Sequence, residues 1–151
     1  MRWTCAPFAE LSAQQLHDAL ALRSEVFVVE QNCVFLDIDG LDPQAWHLLG
    51  HGDDGRLNAY ARLLRPGLKA PDDAVIGRVV TSPAARGGGG GRALMLEAVA
   101  QCGRLWPSQA ITLHAQAHLE RFYGSFGFLP VGEPYMEDGI AHIEMHKDTT
   151  P

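Results

Sequence analysis

Apolar positions along the chain switch between two periods, and the switches mark out its elements. Residues 2–8 read as a first strand. Ser12-Ala13-Gln14-Gln15 spells a capping box, with Leu11 and Leu16 placed as a hydrophobic staple, so a helix starts there. It is expected to bury Leu16, Ala19, Leu20 and Phe27, which recur at helical spacing. Residues 32–45 are rich in Asp, Asn and Gly and read as a loop. Trp46–His51 and Leu57–Leu64 read as strands of a hairpin turned at Asp53-Asp54-Gly55. After a loop over Pro66–Pro71, the β-branched run Ala74–Thr81 predicts a buried central strand.

Downstream, Leu94, Met95, Ala98, Val99 and Cys102 lie on one helical face, and Gly103 occupies the expected C-cap. Ile111–Ala115 predicts a strand and Leu119–Phe126 a short helix. Two more strands are expected near Phe128–Tyr135 and Ile140–His146, turned at Asp138-Gly139. The resulting order, β α β β β α β α β β, is that of a mixed α/β protein. No linker, repeat or charge block divides it, so residues 1–151 are expected to form one domain.

Composition narrows the function classes. A chain of 151 residues, 46% hydrophobic and 20% charged, suits one core of ordinary globular make-up. No apolar run reaches the ~18 residues that cross a bilayer, and the N-terminus lacks a signal-peptide pattern. A cytoplasmic location away from the membrane is the default expectation. Net charge is −6 with no cluster of Lys or Arg, which argues against nucleic acid as a partner and better suits a cationic small molecule. Cys5, Cys33 and Cys102 are odd in number and widely spaced, fitting neither a disulfide framework nor a zinc site.

The most informative segment is Ser82-Pro83-Ala84-Ala85-Arg86 followed by Gly87, Gly88, Gly89, Gly90 and Gly91. A strand that runs through a glycine turn into a helix is a ready anion site. Helix N-terminal N–H groups are unpaired, the dipole favours negative charge, and glycine lets the backbone approach a phosphate closely. Arg86 and Arg92 flank the turn. A flexible linker fits poorly between a β-branched strand and an amphipathic helix. No Gly-Lys-Ser/Thr ends the run, which excludes a P-loop. Gly88, Gly90 and Ala93 match a dinucleotide fingerprint, but no acidic residue for a ribose occurs between Arg104 and His118.

The stretch Val79-Val80-Thr81-Ser82-Pro83-Ala84-Ala85-Arg86 and its glycines resemble the coenzyme-A motif of the GCN5-related N-acetyltransferases (GNAT), Arg/Gln-x-x-Gly-x-Gly/Ala, met here by Arg86, Gly89 and Gly91. Further blocks resemble the ElaA-like branch of that family. They include Val26–Cys33, Asp37-Ile38-Asp39-Gly40, Ile76–Val80, Ala115–Leu119, Phe122-Tyr123, Phe126-Gly127-Phe128 and Glu137–Ile140. Val26–Gln31 is also similar to acyl-homoserine-lactone synthases.

The resemblance implies a mixed, mostly antiparallel sheet with helices on both faces and a V-shaped split between the strands near 74–82 and 111–115. It implies acetyl-coenzyme A as co-substrate, its pantetheine along Val79, Val80 and Thr81 and its pyrophosphate on the N–H groups of residues 86–91. Tyr123 matches a tyrosine that protonates the leaving thiolate, and Gln116 stands where an Asn often contacts pantetheine.

Acetyl transfer to an amine needs a neutral nucleophile. An alkylamine at pH 7 pays about 4–5 kcal/mol to lose its proton, so a base is useful. The oxyanion needs a donor, expected from the backbone N–H of Val79 or its neighbour. Glu30 is the first candidate base and His47 the second; Asp37, Asp39, His114, His118 and His142 are alternatives. Tyr123 also fits as an aromatic that packs the short helix. The pairs His47/His51 and His142/His146 lie on expected strands, about 13 Å apart at ~3.3 Å per residue, so no metal is predicted. The expected partner is a small-molecule or peptidyl amine, and an exposed strand edge would support a homodimer.

Overall fold

The structure is a computed structural model that describes residues 1–148. Seven strands form one sheet: β1 (Arg2–Pro7), β2 (Trp46–His51), β3 (Leu57–Leu64), β4 (Ala74–Thr81), β5 (Ile111–Gln116), β6 (Leu129–Glu137) and β7 (Ile140–Lys147). Their spatial order is β1-β2-β3-β4-β5-β7-β6, and every neighbouring pair is antiparallel except β4 and β5. The helices are α1 (Ala13–Arg23), α2 (Gly90–Leu105) and the short α3 (Glu120–Gly124).

Strand alternation sorts the core onto two faces. Leu48, Ala59, Ala61, Leu63 and Ile76 pack against Leu94, Met95 and Ala98 of α2, with Tyr123 and Phe128 completing that layer. Leu49, Tyr60 and Val80 face the other way, onto Ala19, Leu22 and Val26. Burying one such side chain contributes about 1.5–3 kcal/mol, and these layers fix the sheet between its helices.

The capping box forms as the sequence predicts. Ser12 Oγ accepts from the Gln15 N–H at 3.0 Å, and the Ser12 N–H donates to Gln15 Oε1 at 2.9 Å. The helix then departs from the expected register. From Ser24 to Glu30 it widens into a π-helical turn rich in β-branched valines, which are weak α-helix formers. The buried face carries Ala19, Leu22 and Val26, while Leu16, Leu20 and Phe27 are half-buried. Arg23, beside Leu22 on the same face of α1, is fully inside.

Gly103 is a second departure: it lies within α2, which continues to Leu105 and ends at Trp106. Trp106 precedes Pro107, and the proline ring pushes its neighbour out of the helical region; Trp106 has φ −133° and ψ 75°.

Two irregularities prepare the site. β4 and β5 pair only at Ala74–Ile111 and Val75–Thr112 and then part, leaving a wedge-shaped gap. Between the β3 pairings Tyr60–Val80 and Arg62–Gly77, β4 carries one extra residue, a bulge at Arg78-Val79. Its mark is that Ile76 and Val79, three residues apart, both face the α2 side. Arg78 sits in the left-handed region at φ +50°, a strain of about 1–3 kcal/mol that the surroundings must hold. Among the described residues no helix is long and apolar enough to cross a membrane.

Candidate active site

The gap between β4 and β5 opens into a cavity of about 790 Å³. Its walls include Val79, Val80 and Thr81 of β4, Gln116 at the end of β5, and Tyr123 of α3. Phe27 and Gln31, at the π-helical turn, cover one side. The slot runs from the glycine turn to a cluster of buried charges.

At the turn, Gly87 has φ +92° and Gly89, the N-cap of α2, has φ +79°; both require glycine for backbone reasons. Gly88 does not, since its φ is ordinary and a Cβ there would meet nothing within 4 Å. Gly90 and Gly91 begin α2, whose N-cap offers no side chain to its free N–H groups. The bare N-terminus is thus an electropositive, unobstructed edge of the slot.

Arg86 lines the slot and makes a two-point pair with Glu30, Nη1–Oε2 at 2.9 Å and Nη2–Oε1 at 2.7 Å. Both side chains are about two-fifths exposed. Arg92 turns away, its guanidinium 5.2 Å from the centre of the Phe126 ring.

Tyr123 is buried beneath the slot, its ring edge-on to Phe122 at 5.1 Å. Burial pushes its hydroxyl up to about 12. Among the described residues that hydroxyl has no hydrogen-bond partner within the protein.

At the other end, Arg23, Arg62 and Arg78 interlock with Asp37, Asp39 and Asp42. Arg23 reaches Asp37 through Nε at 2.9 Å and Asp42 through Nη1 at 2.8 Å. Arg62 grips both oxygens of Asp39, at 2.8 and 2.9 Å, and touches Asp42 at 3.1 Å. Arg78 reaches Asp37 at 2.8 Å and Asp39 at 3.3 Å, and so holds the strained bulge. Burial alone would raise Asp39 and Asp42, but the arginine hydrogen bonds and charges outweigh it and hold both below the usual carboxylate range. Lys69 lines the same end, and burial with the charges of Arg62 and Arg78 lowers its ammonium.

This network engages several of the residues expected as bases. Asp37 and Asp39 serve as arginine counter-ions, which leaves Asp39 a poor base. His47 is 1% exposed, and both ring nitrogens are engaged. Nε2 lies 3.0 Å from the Asp42 carbonyl, which can only accept, so Nε2 carries the proton and Nδ1 accepts from the Tyr60 hydroxyl at 2.7 Å. Burial lowers its basicity further. Both ring nitrogens of His47 are thus committed within the fold. Glu30 lies outside the slot lining, tied to Arg86.

Sequence reasoning missed Arg23, Arg62 and Arg78. A signal existed for Arg62: strand alternation puts it on the same inward face as Tyr60 and Leu64. Arg23 carried one too, since Ala19, Leu22, Arg23 and Val26 recur at helical spacing, but a charged residue in that pattern reads as solvated.

Comparisons with known proteins agree with this architecture. The sequence model of the acetyltransferase (GNAT) domain matches residues 39–149. Protein ElaA of Escherichia coli is 48% identical over 153 residues, covering 98% of this chain and 97% of its own. A UPF0039 protein of Synechocystis is 47% identical over 145 residues, covering 96% and 94%. Among solved structures, an acyl-CoA N-acyltransferase from Pseudomonas aeruginosa superposes with a TM-score of 0.91 at 46% identity, covering 97% of this chain and 99% of that one. The slot, the glycine turn and these relatives lead to one conclusion: the chain belongs to the GNAT acetyltransferase family and is an acyltransferase.

Proposed function

We propose that the protein transfers the acetyl group of acetyl-coenzyme A to a primary amine of a small-molecule or peptidyl acceptor. One observation carries the reading: a parallel strand pair that parts after two residues and leads to a glycine turn with a bare helix N-terminus.

An amide-bearing pantetheine arm suits the edge of β4 that β5 leaves unpaired, along Val79, Val80 and Thr81, with Gln116 facing it from β5. A pyrophosphate suits the N–H groups from Arg86 through Gly87, Gly88, Gly89, Gly90 and Gly91. The free space above Gly88 supports this, because no part of the protein itself needs that position to be glycine. Arg86 adds charge directly, and Arg92 adds it from the first turn of α2.

In the transfer the amine attacks the thioester carbonyl, and the oxyanion is stabilised by a backbone N–H that the bulge at Arg78-Val79 frees from the β3 ladder. Tyr123 then hands its proton to the departing thiolate. Burial keeps the phenol protonated until that moment, and the same dry surroundings raise the basicity of the thiolate. Separately, β6 is an edge strand exposed along its length, with Leu129 and Met136 each 68% exposed, which supports pairing with a second copy.

The test is thiol release from acetyl-coenzyme A with a panel of alkylamines and lysine-containing peptides. Amine-dependent release is expected; release that ignores every amine contradicts the reading.

A further inference from the structure

We propose that Nε2 of His142 is the base that accepts the proton of the acceptor ammonium, an assignment that rests on the acetyl-transfer reading above. Three histidines line the slot, His114, His118 and His142, and their hydrogen bonds tell them apart.

Nδ1 of His142 lies 2.8 Å from the carbonyl of Ile140. A carbonyl only accepts, so Nδ1 carries the proton and the neutral ring presents its lone pair at Nε2. No group among the described residues takes that lone pair. His114 differs: its Nδ1 is 2.7 Å from the Tyr135 hydroxyl, which can donate or accept, so that contact fixes no tautomer. His118 is exposed and no hydrogen bond among the described residues fixes its ring.

Position favours His142 as well. It pairs in register with Gln116 of β5. Gln116 lies four residues beyond Thr112 in the last β4–β5 pair, and Val79 lies four beyond Val75, so His142 stands at the level of the β4 bulge. Ile143 and Met145 face the α2 layer, as Tyr123 does, so His142 projects from the opposite side of the sheet. Base and acid therefore flank the slot on opposite faces, so each can reach the tetrahedral centre without blocking the other. The Tyr135 ring stacks on His142 at 6.0 Å and 26° and fixes its plane.

The protons balance. One ammonium proton passes to Nε2 and on to solvent, and the neutral nitrogen forms the C–N bond. As the C–S bond breaks, Tyr123 protonates the sulfur and regains its proton from the nitrogen, which ends as an amide. The titratable groups next to His142 are His114 on β5, Tyr135 stacked on its ring and Glu144 on its own strand, while Lys69 and Glu137 act on the neighbouring His114.

The experiment uses the full chain with acetyl-coenzyme A and the same amine panel. His142→Ala is expected to lower kcat about 10²–10⁴-fold at pH 7, with coenzyme-A affinity and Tm unchanged. It should also erase the acid limb of the pH–rate profile and regain turnover with added imidazole. His142→Gln, whose amide can still donate to Ile140, covers the case in which alanine disturbs the strand. In the resting protein, ¹⁵N NMR should show the Nδ1–H tautomer. A kcat within threefold of wild type, a retained acid limb, or an Nε2–H tautomer would overturn the assignment while leaving acetyl transfer intact. A wild-type protein that acetylates no amine overturns both.

Discussion

Each end of the slot is backed by an arginine–carboxylate pair of nearly equal length, yet the two pairs work differently. Arg86 and Glu30 meet at 2.7 Å with side chains 42% and 40% exposed. Arg23 and Asp42 meet at 2.8 Å with 1% and 5% exposed. Water screens the first pair, whose worth is about 0–1 kcal/mol. The second stands in a dry interior, where each charge depends on its partner. Contact distance therefore says little about energetic role, and burial says most of it. The glycine end is free to exchange partners with a ligand; the aspartate end is scaffolding that holds the bulge of β4 in place.

The largest effect is expected at the buried end. Arg23→Ala leaves Asp37 and Asp42 short of a counter-ion and should cost about 3–5 kcal/mol in denaturant unfolding. A loss below 1 kcal/mol would break the contrast. Tyr123→Phe, between the two ends, should keep the packing and coenzyme-A affinity while lowering kcat toward the lower end of the 10²–10⁴-fold range. A kcat within threefold of wild type makes Tyr123 a packing residue.

A smaller effect follows from His47. Burial lowers its basicity, so the unfolded chain binds its proton first as pH falls. Stability should be flat above about pH 6.5, decline as pH drops below it, and decline less in His47→Gln. His114 is also shifted down, by burial and Lys69, so part of the slope should survive. Identical slopes in wild type and variant would place His47 outside the buried network. The smallest effect belongs to Glu30→Gln, expected to change unfolding free energy by less than about 1 kcal/mol. A loss as large as that of Arg23→Ala would erase the distinction between the ends.

The same contrast explains what the sequence discloses. The glycine end is local: Thr81, Arg86 and Gly87–Gly91 fall within the single stretch 81–91, and their spacing alone points to an anion site. The capping box at Ser12 and Gln15 is local too, as are the hairpin turns at Gly55 and Gly139. The aspartate end joins residues from four separate segments, and its key member, Arg23, is a charge on the buried face of α1 whose partners lie 14 and 19 residues away. Asp37 and Asp39 stand in a polar loop that reads as solvated until the fold brings three guanidinium groups against it. The choice among candidate bases is illegible along the chain for the same reason. His47 and His142 look alike along the chain, and only their carbonyl and hydroxyl partners reveal which ring is satisfied and which keeps a lone pair.

The central claim is that the glycine turn holds the pyrophosphate of the donor, and Gly88 tests it most directly. Its φ is ordinary and a Cβ would meet nothing in the free protein, so Gly88→Val should leave Tm unchanged. Calorimetric titration of coenzyme A into wild type and variant should show at least a tenfold loss of affinity, about 1.4 kcal/mol or more. Equal affinities in two equally stable proteins would contradict the account.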